Sequence, residues 1–265
     1  MSLLPFDSQN HKCIVLNDLV SGDGVQSNQF IIIDNNEVAI IDPGGELTFS
    51  HLFMACRQYC KRDDVAYVFA SHQDPDIVSS LSKWITLTQA KIVVPDIWNR
   101  FIPHYTRAGK TTGRIVGIPD EGLLFPLGEA KVAALPAHFL HAEGNFQFYD
   151  PVSKILFSGD MGANLISSDD ISIDAPITTV EEFEAALPTM KGFHQRYMNS
   201  IVVIRYWANM VEELDVEWMI PQHGRPFKGK SVIKAFLQWI SDLRCGIDRL
   251  TQNDYRIPRK LFVLE

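Results

Sequence analysis

AYVFASHQDPDIVSSL, residues 66–81, passes from an apolar run of strand character through a short polar stretch into a pattern of helical character, with His72, Asp74 and Asp76 at alternate positions. The change of hydrophobic period marks a strand-to-helix junction. Loops past a strand's carboxyl end are where a rigid sheet can aim side chains into a site. Upstream of DVAYVFA, FSHLFMACRQYC reads as an amphipathic helix; downstream, DIVSSLSKWITL reads as a helix and AKIVVPD as a strand, so this region alternates β and α. Before it come short β-rich runs, KCIVLN (12–17), QFIIID (29–34) and EVAIID (37–42), the last two joined by Asn35-Asn36, a pair suited to the positive φ of a tight hairpin. After it, AKVAALPA, GNFQFYDP and KILFSGD read as strands. Helical patterns then run from Val180 to about Leu214, followed by the strand VEWMIPQ and a last helix around Ser231 to Leu243. Two mixed sheets covered by helices on their outer faces bury all of this, so the expected fold class is an α/β, αββα sandwich.

The 265 residues contain no fixed-period repeat, low-complexity segment or Gly/Ser/Pro linker, and we expect one domain over 1–265. A formal charge of −8 without a Lys/Arg-rich run argues against nucleic acid as a partner. The N-terminus lacks a basic region followed by an apolar stretch, and windows such as SIVVIRYWANM are too short to span a bilayer, so a soluble cytoplasmic chain away from membranes is expected. Cys13, Cys56, Cys60 and Cys245 show no CxxC or zinc-finger spacing and read as buried reduced thiols.

The polar residues at strand ends carry the chemistry. His72, Asp74 and Asp76 follow one strand, His138 and His141 a second, Asp160 a third and His223 a fourth. Singly, each has a plain explanation: Asp76 as a helix N-cap, Asp160 as a turn aspartate, His223 as a histidine that happens to precede Gly. Jointly, HxDxD, HxxH, GD and HG in that order point to a metal site. Imidazoles joined by the carboxylates of Asp74, Asp76 and Asp160 form an oxygen-rich set that suits iron or manganese better than zinc. His11, His51 and His104 read as surface or structural, and Arg205, Tyr206 and Trp207 as core and rim.

This series of motifs resembles the metallo-β-lactamase fold, whose signature is HxHxDH, a further His, a bridging Asp in a GD turn and a final His before Gly; IIDPGG (40–45) is similar to its early Asp-Pro-Gly turn. Asp74 stands where the zinc hydrolases have a second His, and Ile77 where they have the last His of the first motif. A carboxylate at the first of these positions resembles the flavodiiron proteins. SGDMGA, GFHQRYM (192–198) and HFLHAEGNFQFYDP (138–151) look like the same diiron branch, and most like its stand-alone oxygen-binding members.

The resemblance implies two irons with a bridging oxo or hydroxo group. One is held by His72, Asp74, His141 and Asp160, the other by Asp76, Asp160 and His223, with Asp160 shared; zinc and manganese are the alternative metals. Ile77 removes a donor from the second iron and leaves positions open for dioxygen, held as a diferric peroxide; nitric oxide and peroxide are alternative ligands. His138 is expected beside these ligands, hydrogen-bonded to a carboxylate, with replacement of the donor missing at 77 as its alternative; His194 and Tyr197 are expected either to approach the metals or to form a buried structural pair. The flavodiiron reductases take electrons from FMN in a flavodoxin domain. None is expected here, which favours oxygen sensing, in signalling or beside a chemotaxis receptor, and a homodimer. The competing readings are a dinuclear hydrolase of the glyoxalase II or thioesterase kind, a dioxygen or nitric oxide reductase with an external electron donor, and a protein-contact role with the metal as a staple.

Overall fold

Alternation of apolar residues builds the first sheet. In β2 (His11–Leu16), Cys13 and Val15 face one way while Ile14 and Leu16 face the other, and all four are buried, so the strand is covered on both sides. The computed structural model describes residues 2–164 and 175–262. β1 (Ser2–Asp7), β2, β3 (Gln29–Asp34) and β4 (Glu37–Ile41) form an antiparallel meander. The β3–β4 turn at Asn35-Asn36 has Asn35 at φ 53°, as its sequence predicts. β5 (Val65–Phe69), β6 (Lys91–Pro95) and β7 (Ile115–Ile118) continue the sheet in parallel, giving seven strands in the order β1 to β7. The second sheet has six strands in the order β13-β12-β11-β10-β9-β8: β8 (Leu123–Leu127), β9 (Ala130–Pro136), β10 (Phe146–Asp150), β11 (Ile155–Phe157), β12 (Trp218–Ile220) and β13 (Phe227–Lys228). Among the described strands only β11 and β12 pair in parallel there, so both sheets are mixed.

Three apolar clusters define four layers. Phe30, Ile32, Phe69, Phe148, Phe157 and Ile220 lie between the sheets. On the outer face of the first sheet, α1 (Phe49–Cys56), α2 (Pro75–Val78) and α3 (Leu81–Leu87) pack against Ile14, Ile40 and Val68, while a short α4 (Asp96–Asn99) follows β6. On the outer face of the second, α5 (Val180–Tyr197), α6 (Ile201–Glu212) and α7 (Lys230–Ser241) cover Leu156 and Met219 through Phe183, Trp207 and Phe236. This is the expected αββα sandwich.

Several expectations need correction. DIVSSLSKWITL is two helices: the Ser79 hydroxyl bonds the Pro75 carbonyl and Ser80 Oγ donates to the Gly44 carbonyl at 2.5 Å, local bonds that compete with a continuous helix. FSHLFMACRQYC stops being helical at Cys56. The cysteines are free, but Cys60 is only partly buried. His11, by contrast, is buried deeply, at 3 % exposure. β1, β7 and β8 are not among the expected strands: their apolar runs are interrupted by Pro5, Gly117 and Pro126, and pairing with their neighbours holds them.

The topology brings the carboxyl ends of β4, β5, β9, β11 and β12 to one edge. The Phe146 amide donates to the Ser71 carbonyl at 3.0 Å and the Asn28 amide to the Gln222 carbonyl at 2.6 Å, so the two sheets are tied together there.

Candidate metal centre

The six expected ligands converge at that edge. Asp160 follows β11 in a turn where Gly159 takes φ +54°, and its carboxylate is buried at the centre of the group. Asp160 Oδ2 lies 2.7 Å from His141 Nε2 and 3.8 Å from His72 Nε2, while Asp160 Oδ1 lies 3.6 Å from His223 Nε2. Asp74 Oδ2 completes the first side, 3.5 Å from His141 Nε2 and 3.8 Å from His72 Nε2. Asp76 Oδ2 completes the second, 3.4 Å from His223 Nε2. Donors bonded to one ion at about 2.0–2.2 Å sit roughly 3 Å apart, which these spacings match. Asp160 Oδ1 is buried and has no hydrogen-bond partner among the described residues, a cost that a cation beside it removes. The residues therefore fit two metal ions sharing the Asp160 carboxylate.

The surroundings aim the imidazoles. Ser71 Oγ donates to Asp42 Oδ2 at 3.1 Å, so His72 Nδ1–H donates to that hydroxyl at 2.9 Å and Nε2 is turned toward the carboxylates. Asp42 is itself held by the Ser71 amide at 2.8 Å, and burial pushes its carboxyl up to about 7. His223 Nδ1–H donates to the Gln26 carbonyl at 2.8 Å, aiming Nε2 inward, and Gln222 Nε2 donates to Asp76 Oδ2 at 3.2 Å. Gly224 after His223 has φ +90°, and a Cβ there would meet the Asn164 carbonyl oxygen at 2.2 Å, so only glycine fits. Ser71, Gln26 and Gln222 escape a reading of ligand motifs because their residue types carry no metal signal; Asp42 lies within the quoted IIDPGG turn.

The surrounding residues separate by contact. Asp76 is not an N-cap: α2 is entered through Asp74, with Asp76 inside its first turn and turned to Gln222 and His223. Ile77 is fully buried among the apolar side chains beneath the first sheet. His194 donates from Nδ1 to the Met190 carbonyl at 2.8 Å and accepts the Gly162 amide at Nε2, 3.0 Å; burial lowers it to about 4, so it braces the Asp160 turn as a neutral ring. The exposed Tyr197 ring lies edge-on to His141, centroids 5.8 Å apart. His138 binds the Asp120 carbonyl through Nε2 at 2.8 Å and packs on Phe146, contacts that tie it to the second sheet rather than to the carboxylates.

Burial opposes charge on His223, but its hydrogen bond to Asp76 and the Asp160 charge outweigh it and lift the ring to about 9. Burial likewise raises Asp160, yet the His141 hydrogen bond and the neighbouring imidazoles hold it well below the usual carboxylate range. A raised histidine stabilises the fold fully below its unfolded value near 6.5 and loses that contribution as pH rises through about 9. Metal-free protein is therefore expected to lose on the order of 2–3 kcal/mol between pH 6.5 and 9.5 through this group. Thermal unfolding of chelator-treated wild type and His223→Gln at both pH values tests it; equal losses in the two proteins would refute the assignment.

Known proteins share this fold. The chain is 35% identical to a structure described as the peroxy diiron species of chemotaxis sensor ODP, covering 96% of this chain and 99% of that one, with a TM-score of 0.82. The apo state of chemotaxis sensor ODP from T. denticola matches with the same identity and coverage and a TM-score of 0.83. The rubredoxin oxygen:oxidoreductase of Desulfovibrio gigas shares the fold, at 14% identity and a TM-score of 0.71, over 90% of this chain and 61% of that one. An uncharacterized protein of Methanocaldococcus jannaschii is 24% identical over 221 residues, 82% of this chain, and the chain spans about half, 53%, of that curated relative's length. A family model described as ODP family beta lactamase matches residues 25–224, and the chain, a metallo-β-lactamase fold with a two-sided donor cluster at one sheet edge, belongs to that family.

Proposed function

We propose that this chain is a non-haem diiron protein that binds dioxygen and serves as an oxygen sensor, passing its state to a signalling partner of the chemotaxis-receptor kind. The observation that carries the reading is the Asp160 carboxylate, whose two oxygens face separate donor sets, His141, His72 and Asp74 on one side and His223 and Asp76 on the other. The likeness to an oxygen-associated diiron chemotaxis sensor over almost the whole chain supports it. Two irons held there supply the electrons and the open coordination positions needed to bind dioxygen. This chain's part is to hold them: Ser71 and the Gln26 carbonyl orient His72 and His223, and Gln222 steadies Asp76. The apolar Ile77, turned into the core, adds no donor beside Asp76. Asp74 in place of an imidazole enriches the set in oxygen, which favours iron over zinc.

Protein purified without oxygen is expected to hold close to two irons per chain and, on exposure to air, to develop a visible absorption band lasting minutes or longer. Two zincs per chain, no oxygen-dependent band and cleavage of thioesters would replace the reading by a hydrolase. Rapid repeated oxygen consumption with an added reductant would make the chain a reductase.

A further inference from the structure

At the edge of the sandwich opposite Asp160, the start of β2 meets the ends of β3 and β10, and a second group of buried side chains joins the two sheets. His11 lies between two carboxylates, Nδ1 at 2.8 Å from Asp34 Oδ1 and Nε2 at 2.7 Å from Asp150 Oδ2. Cys13 Sγ is 3.3 Å from Asp150 Oδ2, 3.9 Å from His11 Nε2 and 3.4 Å from Ser153 Oγ. Asp34 is held as well by the Glu129 backbone amide at 2.7 Å and the Asn35 side-chain amide nitrogen at 2.9 Å.

We propose that His11, Cys13, Asp150 and Ser153 form a second metal site, for one zinc ion. Tetrahedral zinc with bonds of about 2.0–2.3 Å spaces its donors by roughly 3.2–3.8 Å, and the distances among His11 Nε2, Cys13 Sγ, Asp150 Oδ2 and Ser153 Oγ bracket that range, with the donors of His11, Cys13 and Asp150 all within 4.8 Å of one another. Hydrogen bonding alone accounts poorly for the arrangement. Asp150 Oδ2 faces four donors at once: His11 Nε2–H, the Cys13 thiol, the Ser153 hydroxyl and the Ser153 amide at 3.3 Å. Asp150 Oδ1 takes one, the Val152 amide at 3.1 Å. A carboxylate oxygen offers about two acceptor positions, so one oxygen is over-subscribed.

Zinc relieves that crowding without adding charge to the interior. It enters with two positive charges as the Cys13 thiol and the His11 Nε2 each release one proton, so the net charge of the group is unchanged. The Asp34 carboxylate keeps its bond from Nδ1–H, the arrangement that orients a metal-bound imidazole. The thiolate selects zinc over iron, whereas the all-nitrogen and oxygen centre at the other edge favours iron. Bound between β2 and β10, the ion ties one sheet to the other.

The test uses the full chain carrying both His72→Ala and Asp160→Ala, which removes the first centre and makes the result independent of the diiron reading. After treatment with a chelator and incubation with zinc chloride, this variant is expected to retain one zinc per chain through desalting and to release about two protons per zinc near neutral pH. Cobalt(II) in place of zinc is expected to give a near-ultraviolet thiolate-to-cobalt band that Cys13→Ser abolishes. No retained zinc and no such band would overturn the proposal, as would a band that survives Cys13→Ser. Should Cys13→Ser fail to fold, Asp150→Asn replaces it, with an expected loss of at least tenfold in zinc affinity; unchanged affinity would overturn the proposal equally.

Discussion

Asp160→Asn is expected to reduce bound iron from about two per chain to at most one and to abolish the oxygen-dependent visible band. The amide keeps the shape of the carboxylate, but only one of its terminal atoms accepts, and the side chain is neutral. In wild type, Oδ2 faces His141 and His72 while Oδ1 faces His223. Neither side can then share a charged oxygen, and the second, with only Asp76 and His223 left, loses most. Iron is expected to raise the wild-type Tm by mass action, since metal binds the folded chain and not the unfolded one, and to raise the variant's much less. Iron analysis and anaerobic thermal unfolding with and without iron measure both. A variant with two irons and an unaltered spectrum would show that the two sides do not share Asp160.

His11→Ala is expected to destabilise metal-free protein by roughly 3–5 kcal/mol, about 10 °C in Tm, because it leaves two buried carboxylates without the cation between them. Asp34 lies at 5 % exposure and Asp150 at 0 %, so solvent replaces little of what is lost. The pH range follows from the shifts. Burial opposes charge on all three groups, but mutual hydrogen bonding raises His11 and lowers Asp34 and Asp150. The carboxylates contribute above their usual value near 3.9 and the imidazole fully below about 6.5, fading as pH rises through its raised value. The deficit of His11→Ala is therefore expected to be largest between about pH 4 and 6.5 and to shrink on further alkalinisation. Denaturant unfolding across pH 4.5–9.5 tests this; a deficit below about 1 kcal/mol throughout would mean that the pair of carboxylates finds other partners.

Much of the architecture follows from local pattern. Alternation in QFIIID and EVAIID with Asn35-Asn36 between them specifies a hairpin, and the change of period after Phe69 specifies a turn into helix, because side-chain geometry repeats every two residues in a strand and near every 3.6 in a helix. The six candidate donors are legible for the same reason: each stands just past a strand, and their residue types and order resemble a known series.

What only the tertiary structure decided is which neighbours each polar group meets. DIVSSLSKWITL has one helical period, yet Ser80 reaches the Gly44 carbonyl, far away in sequence, and the helix breaks. His138 and His141 are alike in HFLH, but the turn after β9 sends one to the Asp120 carbonyl and the other to Asp160. His11 reads as an isolated histidine near the amino terminus; strand pairing across β2 and β3 and packing against β10 place it between Asp34 and Asp150. Hydrogen bonds and ion pairs act over about 3 Å. Residues 23 and 139 positions apart, as Asp34 and Asp150 are from His11, come within that reach only when the sheets form and stack.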